Sequence, residues 1–118
     1  MRALIYLCLA LLMASPAHAE LRDLRARLSG QEGLIWIAFD GQPTSVRREA
    51  TASGLVLVIE GVSPSARQIV PRHRELVTEL QVEPTEGGAR IQLHGDQAWT
   101  SSEAELRQGG VLVRVRLG

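Results

Sequence analysis

The stretch GLIWIAFDG, Gly33–Gly41, decides how this chain is read. From Leu34 to Phe39 no residue is charged, and a tryptophan sits among them. A strand with one face in a core and the other in water alternates apolar with polar residues, and this one does not. Either both of its faces are covered, or Trp36 looks outward because something binds there. A second stretch, GARIQLHG (Gly88–Gly95), supplies the comparison. There Ile91 and Leu93 alternate cleanly with Arg90, Gln92 and His94, so Ile91 and Leu93 point inward.

The two stretches are parts of an internal repeat. Gly41 falls on Gly95, and Glu49-Ala50 falls on Glu103-Ala104 at the same offset. The closing strands GLVLVIEG (Gly54–Gly61) and GVLVRVRLG (Gly110–Gly118) correspond, and Leu24-Arg25-Ala26 matches Leu80-Gln81-Val82. Each half, about 20–61 and 76–118, reads strand, turn, strand, short third strand, turn, strand. The breaks are turn chemistry: SGQEG, DGQP, ASG, PTEGG, HGDQ and RQGG. Only ELRDLRARL (Glu20–Leu28) fits a helical spacing as well as an extended one. The linking segment VSPSARQIVPRHRE (Val62–Glu75), with Pro64 and Pro71, predicts an irregular crossing between the halves.

Carrying the alternation across the repeat puts Ile35, Ile37 and Phe39 inward and Leu34, Trp36 and Ala38 outward. Leu55, Leu57 and Ile59 join the core with Val111, Val113 and Val115, which leaves Val56 and Val58 on an outer face. The expected fold class is all-β: a small β-sandwich of two pseudo-repeated three- to four-stranded sheets, one sheet per half, with apolar faces together. The first sheet then has an outer face of Trp36, Ala38, Val56 and Val58, with Arg25 and Arg27 at its edge. A flat apolar patch of this kind marks a contact surface. Trp36, Arg25, Arg27, Val56 and Val58 are therefore the candidate ligand-binding residues, unless the linker around Ile69-Val70 covers them.

Residues 1–19 read as a signal peptide: Arg2, the apolar run ALIYLCLALLMA, and the cleavage motif AHA before Glu20. Cleavage after Ala19 leaves residues 20–118 as one domain with no membrane span. The lone cysteine, Cys8, lies in the leader, so the mature domain is expected to fold without a disulfide. Thirteen basic residues stand against thirteen acidic ones. That balance gives no electrostatic footprint for nucleic acid.

Chemistry is sparse. The mature histidines, His73 and His94, have no spacing that would make a metal site, and no cofactor is expected. Ser45, His94 and Asp40 have the residue types of a triad, but no serine sits on a nucleophile elbow, so catalysis is not expected. PRHRE (Pro71–Glu75) reads as a solvated basic loop. Arg47-Arg48 reads as a charged edge strand, and Trp99 as half-buried at the sandwich rim.

Signal peptide, two β half-repeats, GLIWIAFDG and GLVLVIEGV together resemble the AMIN domain of bacterial envelope proteins, which accompanies cell-wall amidases and type IV pilus secretins. The likeness runs from Leu21 to Leu117. Leu55, Val58 and Ile59 match the family's closing strand, whereas the Pro-Arg that normally opens it is missing and Glu60 replaces an aspartate. No ligand residue is carried over for that reason. The resemblance implies a non-catalytic periplasmic module that binds peptidoglycan or an envelope protein. With the sequence ending at Gly118, no fused enzyme is expected, and the module would act as a binder. The alternative it leaves is a protein–protein adaptor of a secretion or pilus assembly, pairing through an exposed sheet edge.

Overall fold

The computed structural model describes residues 20–51, 54–72 and 75–117; the leader read from the sequence lies outside them. These residues form nine strands: β1 (Leu21–Ser29), β2 (Glu32–Phe39), β3 (Ser45–Thr51), β4 (Gly54–Glu60), β5 (Arg67–Ile69), β6 (Glu79–Thr85), β7 (Gly88–His94), β8 (Trp99–Arg107) and β9 (Gly110–Leu117). They build two antiparallel sheets, A in the order β1-β2-β9-β8 and B in the order β3-β4-β7-β6-β5. The sheets pack face to face as an all-β sandwich, and among the described residues no helix is long and apolar enough to cross a membrane.

The ambiguous segment at Glu20 is a strand. A tight turn at Gly30-Gln31, with Gly30 at φ 62°, returns the chain directly along β2. Pairing with β2 then places Leu24, Ala26 and Leu28 opposite Ile37, Ile35 and Gly33, all on the inner face. A helix would break this ladder and strand the β2 main chain at a sheet edge.

The alternation inferred from the repeat holds. Ile35, Ile37, Leu55, Leu57, Ile59, Ile91, Leu93, Val111 and Val113 are fully buried, and Phe39 and Val115 are 2% exposed. The allocation of halves to sheets does not hold. Each half gives one hairpin to each sheet, so β1–β2 pairs with β9–β8, and β6–β7 pairs with β4–β3. The cause lies in the corner between β2 and β3, residues 40–44. Thr44 donates its N–H to the Glu60 carbonyl, and the Gln42 side chain spans from the Arg107 carbonyl (3.0 Å) to the Gly109 N–H (2.7 Å). The corner thus carries the chain from one layer to the other, and the two hairpins of a half face each other across the core. The third strands, seven and nine residues long, are not short. The linker, which in the structure runs on to the start of β6 at Glu79, adds β5 to sheet B, making it five-stranded, and also contributes core residues: Val62, Leu76 and Val77 are 1%, 3% and 0% exposed. A Cβ at Gly33 would lie 2.5 Å from a Leu76 methyl, so the glycine there makes room for the linker's anchor.

Arg47 and Arg48 sit on the edge strand β3, as their charge suggests. Arg47 points outward and pairs with Glu49 (3.6 Å). Arg48 shares the inner-facing register of Leu57's partner and donates to Ser102 Oγ of β8 (3.3 Å), closing that side of the sandwich. An inward-pointing charge is a familiar block against edge-to-edge aggregation.

Two outcomes follow from this architecture. Leu57→Ala, at the centre of the Leu57–Ile91 pair, is expected to cost about 2–5 kcal/mol in urea unfolding, while Val58→Ala on the half-buried outer face costs under about 1.5 kcal/mol. Fragments 20–66 and 67–118 each lack the strands that complete their sheets. Each alone is expected to show no folded monomer by circular dichroism, and an equimolar mixture is expected to regain the β signal. A folded monomer of either fragment would contradict the exchange of hairpins as the source of stability.

Candidate functional site

The exchange of hairpins splits the candidate residues. Arg25 and Arg27 on β1 and Trp36 on β2 lie together on the outer face of sheet A, since Arg25 pairs with Trp36 and Arg27 with Leu34. Val56 and Val58 belong to β4, on the outer face of sheet B, on the other side of the molecule. The single patch expected from the sequence does not exist. Val56 is also only 5% exposed, although it stands apart from the core cluster. Glu49 and Gln92 flank it directly across the ladder, and the stems of such long polar side chains cover a valine between them.

The strand beside β2 is β9, so the neighbours of Trp36 are Leu112 and Arg114 where the sequence had suggested Val56 and Val58. Trp36 pairs with Leu112, and Leu34 with Arg114. The outer face of sheet A therefore has a central apolar strip of Leu34, Trp36, Ala38 and Leu112, all half-buried. Arginines flank it on both sides: Arg25 and Arg27 on β1, Arg114 and Arg116 on β9. The rim of the Trp36 ring lies over Gly110, where an added Cβ would come within 2.8 Å of it. Glycine at that position leaves room for the indole, which stays half-exposed.

Arg25 is anchored. Its Nε donates to Asp23 Oδ2 at 2.8 Å, and Asp23 Oδ1 accepts the Leu24 N–H at 2.9 Å. Only Nε is spent in this pair, so both terminal nitrogens of the Arg25 fork still face solvent, where a carboxylate can be met by two parallel hydrogen bonds. On the far side of the face, beside Leu112, a shallow depression of about 310 Å³ is lined by Arg48, Glu103, Ala104, Glu105 and Arg114. Its mixed charge suits neither sign of ligand. The Arg25–Trp36–Arg27 side carries the positive character.

The described residues of the linker do not cover Trp36. β5 lies beside β6 in sheet B, with Ile69 half-buried at its end and Val70 56% exposed. Of the basic loop PRHRE, Arg72 is exposed on a groove beside β1, and His73 and Arg74 lie outside the described residues. Trp99 is half-buried at the rim, packed on the core, with its indole beside Gly95 and its Nε1 buried without a hydrogen-bond partner. Ser45 and His94 stand on different rows of sheet B, opposite Glu60 and Gly54, so they do not converge. Among the described residues no cluster of three or more His, Cys, Asp or Glu is placed to hold a metal ion.

Sequence reasoning missed Leu112, Arg114 and Arg116 as neighbours of Trp36. Their outward phase was readable in VLVRVRL, but their position depended on knowing that the fourth strand of one half pairs with the second strand of the other. No protein-family model matches the chain, and no curated protein matches it.

Proposed function

We propose that this chain is an exported, non-catalytic module of the bacterial periplasm, similar to an AMIN domain, that binds peptidoglycan through the outer face of sheet A. The observation that carries the reading is the placement of Trp36. It lies half-exposed in an apolar strip, with Arg25 opposite it and Arg27 two residues further along the same strand. A flat indole stacks on the apolar face of a sugar ring, and an arginine fork next to it meets the carboxylates of a stem peptide. Peptidoglycan presents both groups at short repeat, and its negative charge suits the flanking guanidinium groups. The pseudo-repeated β-sandwich and the apolar leader add the resemblance to an envelope module.

Retention of the purified chain on isolated sacculi tests the proposal. Trp36→Ala is expected to weaken retention at least tenfold, about 1.4 kcal/mol, and Trp36→Ala combined with Arg25→Ala and Arg27→Ala to abolish it. Retention of the wild-type chain should fall as salt rises. Arg90→Ala, on the outer face of sheet B, should leave it unchanged. Equal retention of the triple variant and the wild-type chain would remove this face from consideration.

A further inference from the structure

The repeat places β1 and β6 in equivalent positions, Leu24-Arg25-Ala26 matching Leu80-Gln81-Val82. Their surroundings differ. On β6, the edge away from β7 is covered by β5, with Ile69, Gln68 and Arg67 opposite Leu80, Gln81 and Val82. On β1, among the described residues, the edge away from β2 has no strand beside it. The chain thus shows, at one of two equivalent edges, a short extended segment added as a strand, and it leaves the other edge uncovered.

The uncovered edge has the geometry to accept one. Leu24 donates its N–H to the Asp23 carboxylate, and the Leu21 carbonyl accepts from Arg67 Nη1 at 3.1 Å, so both main-chain groups point off the sheet. Strand alternation gives Ala26 and Leu28 the same direction as Leu24. The carbonyl of Leu24, both main-chain groups of Ala26 and the N–H of Leu28 are then available. The β-bulge at Arg22 twists the strand just before this stretch and confines pairing to residues 24–28.

A groove of about 450 Å³ runs along this edge between β1 and the segment following β5. The inner-facing side chains of β1 remain reachable there: Leu24 is half-buried and Ala26 is exposed, although their partners Ile37 and Ile35 are fully buried. Ile69, Val70 and Pro71 line the opposite wall. Four arginines, Arg22, Arg25, Arg67 and Arg72, line the groove against one acid, Asp23. Both Asp23 oxygens are already engaged by Leu24 and Arg25. A second copy of β1 is a poor occupant, because antiparallel pairing of LRARL with itself sets arginine against arginine.

We propose that β1, from Leu24 to Leu28, receives an extended acidic segment of a protein partner as an added strand. Alternate apolar side chains of that segment enter the slot formed by Leu24, Ala26, Ile69 and Val70. Its carboxylates, on the opposite face of the added strand, meet Arg25 and Arg27. The apolar slot lies apart from Trp36 while the arginines are shared with its face, and the added strand brings a protein partner to a module read above as a wall binder.

Two labelled decapeptides test it, one alternating valine with glutamate and one alternating valine with lysine, by fluorescence anisotropy and by amide hydrogen exchange of the whole chain. The glutamate peptide is expected to bind, and the lysine peptide at least tenfold more weakly. The amides of Ala26 and Leu28 are expected to exchange at least tenfold more slowly in the complex. Arg25→Ala with Arg27→Ala should weaken binding of the glutamate peptide at least tenfold, and Ala26→Pro, which removes one edge N–H, should abolish it. Trp36→Ala should leave peptide binding intact, so failure here and failure of the sacculus experiment are told apart. The proposal is overturned by unchanged exchange at Ala26 and Leu28, by equal affinity for the two peptides, or by no binding at about millimolar peptide.

Discussion

The pairing of β2 with β9 and of β4 with β7 is the constraint on which the rest of the molecule depends. These ladders join the second strand of each half to the fourth strand of the other. Their rows, Ile35–Val113 and Ile37–Val111 in one sheet, Leu55–Leu93 and Leu57–Ile91 in the other, consist entirely of fully buried side chains. Neither half has a complete sheet of its own, so neither can hide its apolar residues without the other. The corner at residues 40–44 makes this possible by sending the chain from sheet A to sheet B after only two strands, and residues 95–98 repeat the crossing in the second half. A meander within one layer would have kept Val56 on the same sheet face as Trp36, with β3 between them. The layer change puts Leu112 beside Trp36.

The linker breaks the symmetry that the repeat would otherwise impose. It anchors at both ends through Val62 and through Leu76-Val77, and between them it lays β5 against β6. The two sides of the sandwich are consequently unlike. One is closed by contact of β3 with β8, with Arg48 reaching Ser102. On the other, the sheets are held by a few polar ties: Glu20 accepts from the Ser65 N–H and hydroxyl, and Arg67 reaches the Leu21 carbonyl. Polar ties of this sort fix the spacing of two edges without filling the gap between them, and the groove along β1 results.

The fold was largely readable because period-two alternation is a local property. Ile35, Ile37, Phe39, Ile91 and Leu93 reveal their inward phase from their neighbours in sequence, and one strand with clean alternation was enough to set the phase of its uniformly apolar counterpart. Sheet membership is not local. Nothing in GLVLVIEG states whether it lies beside β2 or across the core from it, because both arrangements bury Leu55, Leu57 and Ile59. Trp36, Arg25 and Arg27 were correctly grouped because the β1–β2 hairpin is set by a tight turn, whereas Val56 and Val58 were misplaced because their position follows from long-range pairing. The groove escaped notice for the same reason: Arg22 and Arg72 are fifty residues apart and line one groove only because the linker passes the edge of β1.

Alternation also divides β1 between two surfaces. Arg25 and Arg27 point away from the core and flank Trp36, while Leu24, Ala26 and Leu28 point toward it and turn their main chain to the open edge. A nine-residue strand rich in leucine at a sheet edge is an invitation to self-association. The interleaved arginines answer that hazard: they keep the outer surface solvated, and they place like charges opposite one another in any antiparallel pairing of two copies. The same charges make the edge receptive to a strand of opposite sign. Protection against the wrong partner and selection of an acidic one are then a single property of the LRARL pattern, and the Asp23 carboxylate, clasped between the Leu24 N–H and the Arg25 guanidinium, marks the boundary between the edge and the face.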